Sequence, residues 1–221
     1  MVTLFLFYPM SDLLKNLEPE IRQRLSVTDA GHDWWHAVRV KNNAFKIAEK
    51  EGGNKRIIEA AALVHDLVDD KFFDPQQAES ELKVMLEQQG FSEKETEHVL
   101  NIITQMSFSK ELEGASFDSL EFRIVRDADR LDAIGAIGIA RTFSYGGHKG
   151  REFYNPGIPP AAVTTKDEYR NSTSPTINHF YEKLLKLKDL MKTPAGKQMA
   201  EERHAFMEQF LKQFFTEWEG K

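Results

Sequence analysis

Apolar and polar residues alternate along most of this chain with the period of a helix. Between Asp12 and Leu25 the apolar positions are Leu13, Leu14, Leu17, Ile21 and Leu25, a stripe interrupted around Pro19, so one short helix or two is expected. Gly31 opens His32-Asp-Trp-Trp-His36-Ala-Val-Arg-Val, which continues through Phe45, Ile47 and Ala48 to Gly52-Gly53, whose glycines suit a helix end. Asn54 can cap the next helix, where Ile57, Ile58, Ala61, Ala62, Val64 and Val68 make it apolar nearly all round, the pattern of a central, buried element. Asp74-Pro75 is an N-cap with proline at the first helical position, and the helix it starts should stop at Gly90. Ser92-Glu-Lys-Glu95 is a capping box for another, through Val99, Leu100, Ile102 and Ile103 to about Met106.

After a loop at Gly114–Phe117, Asp118-Ser-Leu-Glu121 can cap a helix through Phe122, Ile124, Val125, Leu131, Ile134, Ile137 and Ile139. From Ser144 to about Ser174 glycine, proline and polar residues dominate without periodicity, which reads as a long loop of lid type. Ser174-Pro175 and Thr193-Pro194 repeat the cap-then-proline signal, and two amphipathic helices follow, the second reaching Trp218. No segment has the period of a strand and none repeats. The expected fold is all-α: a single domain over residues 1–221, with a core at 31–143, a loop at 144–174 and C-terminal helices at 175–218.

Two places break the apolar pattern with charge. Ala60-Ala-Ala-Leu-Val-His-Asp-Leu-Val-Asp-Asp70 places a His-Asp pair and two further carboxylates in or beside a run that should be buried. Buried charge needs a partner. On a continuous helix His65 and Asp69 lie one turn apart, as do Asp66 and Asp70, and a cation is the simplest partner for all four. The alternative is a helix that ends near Val68, leaving Asp69 and Asp70 solvated and His65 hydrogen-bonded in a core. The second place is Arg126-Asp-Ala-Asp-Arg-Leu-Asp132, a charge cluster inside another apolar helix.

Composition narrows what such sites can be. Hydrophobic residues make up 41% and charged residues 29% of the 221, an ordinary globular balance. The formal charge of −6 argues against a general nucleic-acid-binding surface, although a local basic pocket for phosphate fits it. No cysteine is present, so disulfides, thiolate metal sites and a cysteine nucleophile are excluded, and any metal must be held by His and carboxylate. Met1-Val-Thr-Leu-Phe-Leu-Phe-Tyr-Pro is apolar but too short to span a bilayer and lacks the flanks of a secretory signal. The expected location is the cytoplasm, with no membrane partner.

Collected together, the candidates are His36, the adjacent His65-Asp66 and one carboxylate among Asp127, Asp129 and Asp132. Two imidazoles and two carboxylates suit Mn²⁺, Fe²⁺, Zn²⁺ or, less comfortably, Mg²⁺, with positions left open for water and a phosphate oxygen. The order His, then His-Asp, then Asp on separate helices resembles the HD superfamily of metal-dependent phosphohydrolases. The segments carrying the resemblance are Gly31-His-Asp-Trp-Trp-His36, Ala62-Leu-Val-His-Asp66, Asp127-Ala-Asp-Arg-Leu-Asp-Ala-Ile-Gly-Ala136 and Asn178-His-Phe-Tyr-Glu-Lys-Leu-Leu185, which together look like a bacterial branch of small stand-alone HD hydrolases.

That resemblance implies an all-α fold, cleavage of phosphoester or phosphoanhydride bonds, often in nucleotides, and metal ligands at His36, His65, Asp66 and a final Asp. In relatives such as the stringent-response alarmone hydrolases the last ligand lies in Ala-Asp-(Arg/Lys)-Leu, which here selects Asp129. Asp132 shares its face and can support a ligand or an arginine, whereas Asp127 points elsewhere on the wheel, and both are expected to form salt bridges with Arg126, Arg130 or Arg123. The same relatives carry an acidic pair three and four residues after the HD aspartate, positions held here by Asp69 and Asp70. Asp69 is the preferred residue to orient or deprotonate the attacking water, and the Asp-Asp pair differs from the Glu-Asp of those relatives. His98 is the only histidine between the HD pair and the last Asp, which favours one metal over two and a packed or exposed role for His98.

Cationic donors for developing phosphate charge are available in Lys71, Arg130, Lys149 and Arg151, with His148 as a leaving-group acid and His32, one turn before His36, as a substrate contact. Trp34 and Trp35 can stack on a base or belong to the core. The glycines of Ser144-Tyr-Gly-Gly-His-Lys-Gly-Arg151 permit close approach of backbone N–H groups to phosphate. Three readings follow: a metal-dependent hydrolase of a small phosphorylated substrate such as a nucleotide, a non-catalytic metal-containing nucleotide-binding or regulatory domain, and a helical scaffold with a vestigial site. The full ligand set and Asp69 favour the first over the third.

Overall fold

The capping residues in the sequence set most of the helix boundaries. The computed structural model describes residues 11, 15–26, 31, 33–68, 74–106, 117–161 and 174–221, and among them every regular element is a helix or a 3₁₀ turn. The α-helices are α1 (Glu18–Leu25), α2 (Trp34–Glu51), α3 (Lys55–Val64), α4 (Pro75–Gln88), α5 (Glu93–Gln105), α6 (Leu120–Asp132), α7 (Gly135–His148), α8 (Asn178–Glu182) and α9 (Pro194–Trp218). Two 3₁₀ segments, His65–Val68 and Leu184–Leu190, extend α3 and follow α8. No helix among the described residues is long and apolar enough to cross a membrane.

Each expected cap makes its bond, except at α6 and at α8, where the N-cap is Ile177 rather than Ser174 and makes no side-chain cap bond. Asn54 accepts from the amides of Arg56 and Ile57, and Asp74 accepts from Gln77. Ser92 and Glu95 complete the reciprocal capping box, and Thr193 accepts from Gly196. At the start of α6 the hydroxyl of Ser119, rather than the carboxylate of Asp118, accepts from Phe122. Asp118 instead holds the guanidinium of Arg123.

Packing groups the chain into two compact units, Met1–Asp129 and Arg130–Lys221, with the boundary inside α6. In the first unit α3 is the centre: Ile57, Ile58, Ala60, Ala61, Ala62, Leu63 and Val64 are all buried. Gly52, at φ 85°, ends α2 in a conformation that only glycine adopts without strain, and α3 packs back against α2 after it. The charges buried with this layer are Lys41 on α2 and Glu59 on α3. Burial pushes the Lys41 ammonium below its ordinary value, while the neighbouring Glu59 and Glu18 carboxylates oppose that shift. Glu59 also accepts from the amide of Ser11 at 2.9 Å.

In the second unit the core is aromatic. Phe180 stacks on Phe210 at 5.8 Å, Phe143 meets both rings, and Tyr154 packs edge-on against Phe215 and Trp218 near the end of α9. The segment after α7 is tied to α8: Glu152 and Phe153 carbonyls accept from Thr176 and Ile177. Asn178 donates to the Ile158 carbonyl, and Glu182 accepts from the Ala161 amide and the Ser174 hydroxyl.

Three expectations are corrected. The helix expected to run through Ile139 stops at Asp132, and a new one begins at Gly135. Gly135 has φ 75°, and a Cβ there would lie 3.0 Å from the Arg203 side chain, so the break is built on a residue with neither side chain nor φ restriction. The expected loop from Ser144 begins instead after His148, because Ser144–His148 completes α7 despite its two glycines. Finally, the first of the two expected C-terminal amphipathic helices is only α8 followed by a 3₁₀ turn, since Lys183 leaves helical geometry at φ −138°.

Candidate metal centre

Each prospective ligand sits at or beside the end of a helix. Asp33, extended at ψ 173°, caps α2 and accepts from the amide of His36 at 2.8 Å, which fixes His36 in the first turn. His65 is the residue after α3, where the backbone tightens into the 3₁₀ turn. Its Nδ1 lies 2.9 Å from the Ala62 carbonyl. A carbonyl can only accept, so Nδ1 carries the ring proton and Nε2 presents a lone pair. Asp66 follows directly, and Asp129 stands in the last turn of α6.

These side chains converge. His36 Nε2 and His65 Nε2 are 3.2 Å apart, with the rings inclined at 60°. Asp66 Oδ1 lies 3.3 Å from His65 Nε2 and Asp66 Oδ2 lies 3.4 Å from His36 Nε2. Asp129 Oδ1 is 3.4 Å from His36 Nε2 and 3.8 Å from His65 Nε2. Donor atoms sharing one ion at about 2.1 Å stand about 3.0 to 3.4 Å apart, so these separations are those of a coordination shell, with Asp129 slightly wide of it. His36, His65 and Asp66 are buried, whereas the Asp129 side chain is 38% exposed, so the cluster is open on the side of Asp129.

One atom tests whether the set fits a cation. Asp66 Oδ2 is buried and makes no hydrogen bond with any of the described residues. A carboxylate oxygen in that condition costs stability unless positive charge meets it. The Nε2 of His65, aimed at the same point, offers it a lone pair and not a proton. A divalent ion satisfies all four groups at once, and His/carboxylate ligation suits Mn²⁺, Fe²⁺ or Zn²⁺ better than Mg²⁺.

The other charged residues near the motif have different occupations. Asp132 is buried and takes the guanidinium of Arg141 at 2.7 Å, a partner outside the three arginines expected for it. Asp127 is fully buried on the same helix. Arg130 donates to the Leu190 carbonyl at 3.0 Å, joining the end of α6 to the second 3₁₀ turn. His148 ends α7, and Lys149 and Arg151 lie over the Tyr145 ring at 5.6 and 5.4 Å. His98 hydrogen-bonds the Ser119 hydroxyl at 3.1 Å on α5, in keeping with a packed helix residue. Trp34 is buried and Trp35 exposed, with the Arg22 guanidinium over both rings. His32, Asp69, Asp70 and Lys71, like the apolar segment at residues 1–9, lie outside the described residues.

One residue beside this centre has no counterpart in the motif reading. Asn43 of α2 is buried and donates to the carbonyl of Ala128 at 3.2 Å. Its signal in the sequence is faint: an amide seven residues after His36, on the same face of the helix.

Comparison with known proteins agrees with this geometry. A family model described as HD domain matches residues 34–134. The Bacillus subtilis protein YpgQ is 42% identical over 195 residues, 87% of each chain. A solved HD-superfamily hydrolase from Bacillus thuringiensis is 46% identical, with a TM-score of 0.76, covering 94% of this chain and 97% of that one. The crystal structure of YpgQ in complex with ADP has a TM-score of 0.73 at 36% identity, covering 93% and 94%.

Proposed function

Because this chain belongs to the HD-domain phosphohydrolase family, we propose that it hydrolyses a phosphoester or phosphoanhydride bond of a nucleotide, using one divalent ion held by His36, His65, Asp66 and Asp129. The observation that carries this reading is the convergence on one point of two imidazole Nε2 atoms and a buried carboxylate oxygen that makes no hydrogen bond among the described residues. The nucleotide enters through the relative YpgQ, whose structure holds ADP.

A divalent ion held there would lower the pKa of a water and polarise a phosphoryl oxygen. This chain's own residues do the rest. His65, its Nδ1 proton held by the Ala62 carbonyl, keeps Nε2 available at every turnover. Asp69, three residues beyond Asp66, accepts the proton of the attacking water, and Asp70 assists. Lys71, Arg130, Lys149 and Arg151 are the cations that offset charge growing on the phosphoryl oxygens, His148 is the proton donor to the leaving group, and His32 contacts the substrate.

The test is turnover. Purified protein, with its metal content measured first, is assayed against a panel of nucleoside mono-, di- and triphosphates and simple phosphate esters, with and without added Mn²⁺. Mn²⁺-dependent release of phosphate or pyrophosphate from a nucleotide is expected. A protein that binds Mn²⁺ and nucleotide but turns over none of the panel is a nucleotide-binding or regulatory domain instead.

A further inference from the structure

Resting on the metal-site reading above, we infer that Asn43 is a positioning residue for the metal centre: its amide, donated to the Ala128 carbonyl, sets the rotation of the last turn of α6 and so the aim of Asp129.

The argument starts from helix geometry. His36 and Asn43 are seven residues apart in α2, two turns, so they lie on one stripe about 10 Å apart along the axis. At one end of that stripe His36 Nε2 stands 3.4 Å from the Asp129 carboxylate, and at the other Asn43 Nδ2 is 3.2 Å from the carbonyl of the preceding residue, Ala128. Helix α2 therefore grips α6 at two adjacent residues, one through a side chain and one through the backbone.

That grip falls where α6 has least support of its own. The helix ends at Asp132, three residues after Asp129. The carbonyls of Arg130 and Leu131 are taken by the i+3 amides of Ala133 and Ile134, the tightened bonds of a terminating helix. Asp129 is also the most exposed of the four ligands, and its contact with His65 is the longest at 3.8 Å, so packing constrains it least. A buried amide donor fixed to the backbone one residue away supplies a constraint on that turn. Asn43 is suited to it because its donor reaches a carbonyl, whereas an apolar side chain of the same volume fills the space without holding the turn.

The experiment is a double-mutant cycle on metal affinity. Mn²⁺ binding to metal-stripped protein is measured by titration calorimetry for wild type, Asn43→Leu, Asp129→Ala and the double variant, with Zn²⁺ as the probe where Asp129→Ala holds Mn²⁺ too weakly, since His and carboxylate bind Zn²⁺ more tightly. Asn43→Leu is expected to raise Kd about 10- to 100-fold when Asp129 is present and to change it little when Asp129 is absent. Asn43→Ala is run in parallel in case Leu does not fit, with the same expectation. Equal losses in both backgrounds would make Asn43 a general structural residue, and an unchanged Kd in a folded variant would remove it from the site; either overturns the inference while leaving the hydrolase proposal intact. Wild-type protein that binds neither ion overturns both.

Discussion

Asp66 should be worth opposite amounts of stability with and without metal. The isosteric change Asp66→Asn removes its charge and one ligand while conserving volume. Asp66 is 8% exposed, with one oxygen that makes no hydrogen bond among the described residues. An unsatisfied buried group costs about 1–3 kcal/mol, so the variant should equal wild type or exceed it by up to that amount. Metal present at a hundredfold excess over its Kd stabilises wild type by about 2.7 kcal/mol and the variant, short of one ligand, by far less. For a chain of this length about 2–4 °C of Tm accompanies each kcal/mol, so wild type should rise by about 5–11 °C with Mn²⁺. The order of the two proteins then reverses between EDTA and Mn²⁺. Thermal or urea denaturation read by circular dichroism measures it. A variant destabilised by the same amount in both conditions would mean that Asp66 is held by the protein and not by an ion.

Asp69→Asn should leave the Mn²⁺ stoichiometry unchanged and lower kcat by about 10²- to 10⁴-fold, the range for loss of a general base; equal loss of metal would make Asp69 a ligand. Gly135→Ala should destabilise by about 1–3 kcal/mol, because φ 75° is strained for alanine and its methyl meets Arg203, which urea denaturation would read. Burial pushes His179 down from 6.5 to about 3, with Lys183 and Arg151 adding to the shift. Between those values the unfolded chain binds a proton that the native protein refuses, so stability falls on acidification through that window and is unaffected above it. His179→Gln should flatten this acid limb by about 2–3 kcal/mol between about pH 7 and about pH 4.5, and a limb unchanged in urea midpoints would place the acid sensitivity elsewhere.

Legibility in the sequence followed the range of the interaction. Caps are local, so Asn54, Asp74, Ser92 and Thr193 announced their helices and the structure shows each bond. The all-α class came from the same short-range periodicity. The break at Gly135 is hidden because Ile134, Ile137 and Ile139 continue the apolar period across it, and the side chain that packs against Gly135, Arg203, is 68 residues away in sequence. Likewise the pairing of Asp132 with Arg141 depends on α7 turning back after that break. Nor could periodicity show that α3 gives way to a 3₁₀ turn at His65, since Leu67 and Val68 extend the apolar run without a stop signal.

The placement of the prospective ligands explains why a short motif can be readable while its geometry is not. His36 is in the first turn of α2, His65 and Asp66 follow the last residue of α3, and Asp129 is in the last turn of α6. A residue at a helix end takes its direction from whatever terminates the helix. For His36 that is Asp33, a neighbour in sequence; for His65 it is a change of backbone winding; for Asp129 it is a carbonyl grip from Asn43, 86 residues upstream. Residue identities at such a site can be read in order along the chain, but the aim of each side chain is set by successively longer-range contacts. Asp129, whose support is the most distant and whose side chain is the most exposed of the four, is therefore where substitutions outside the motif should act on the metal most strongly.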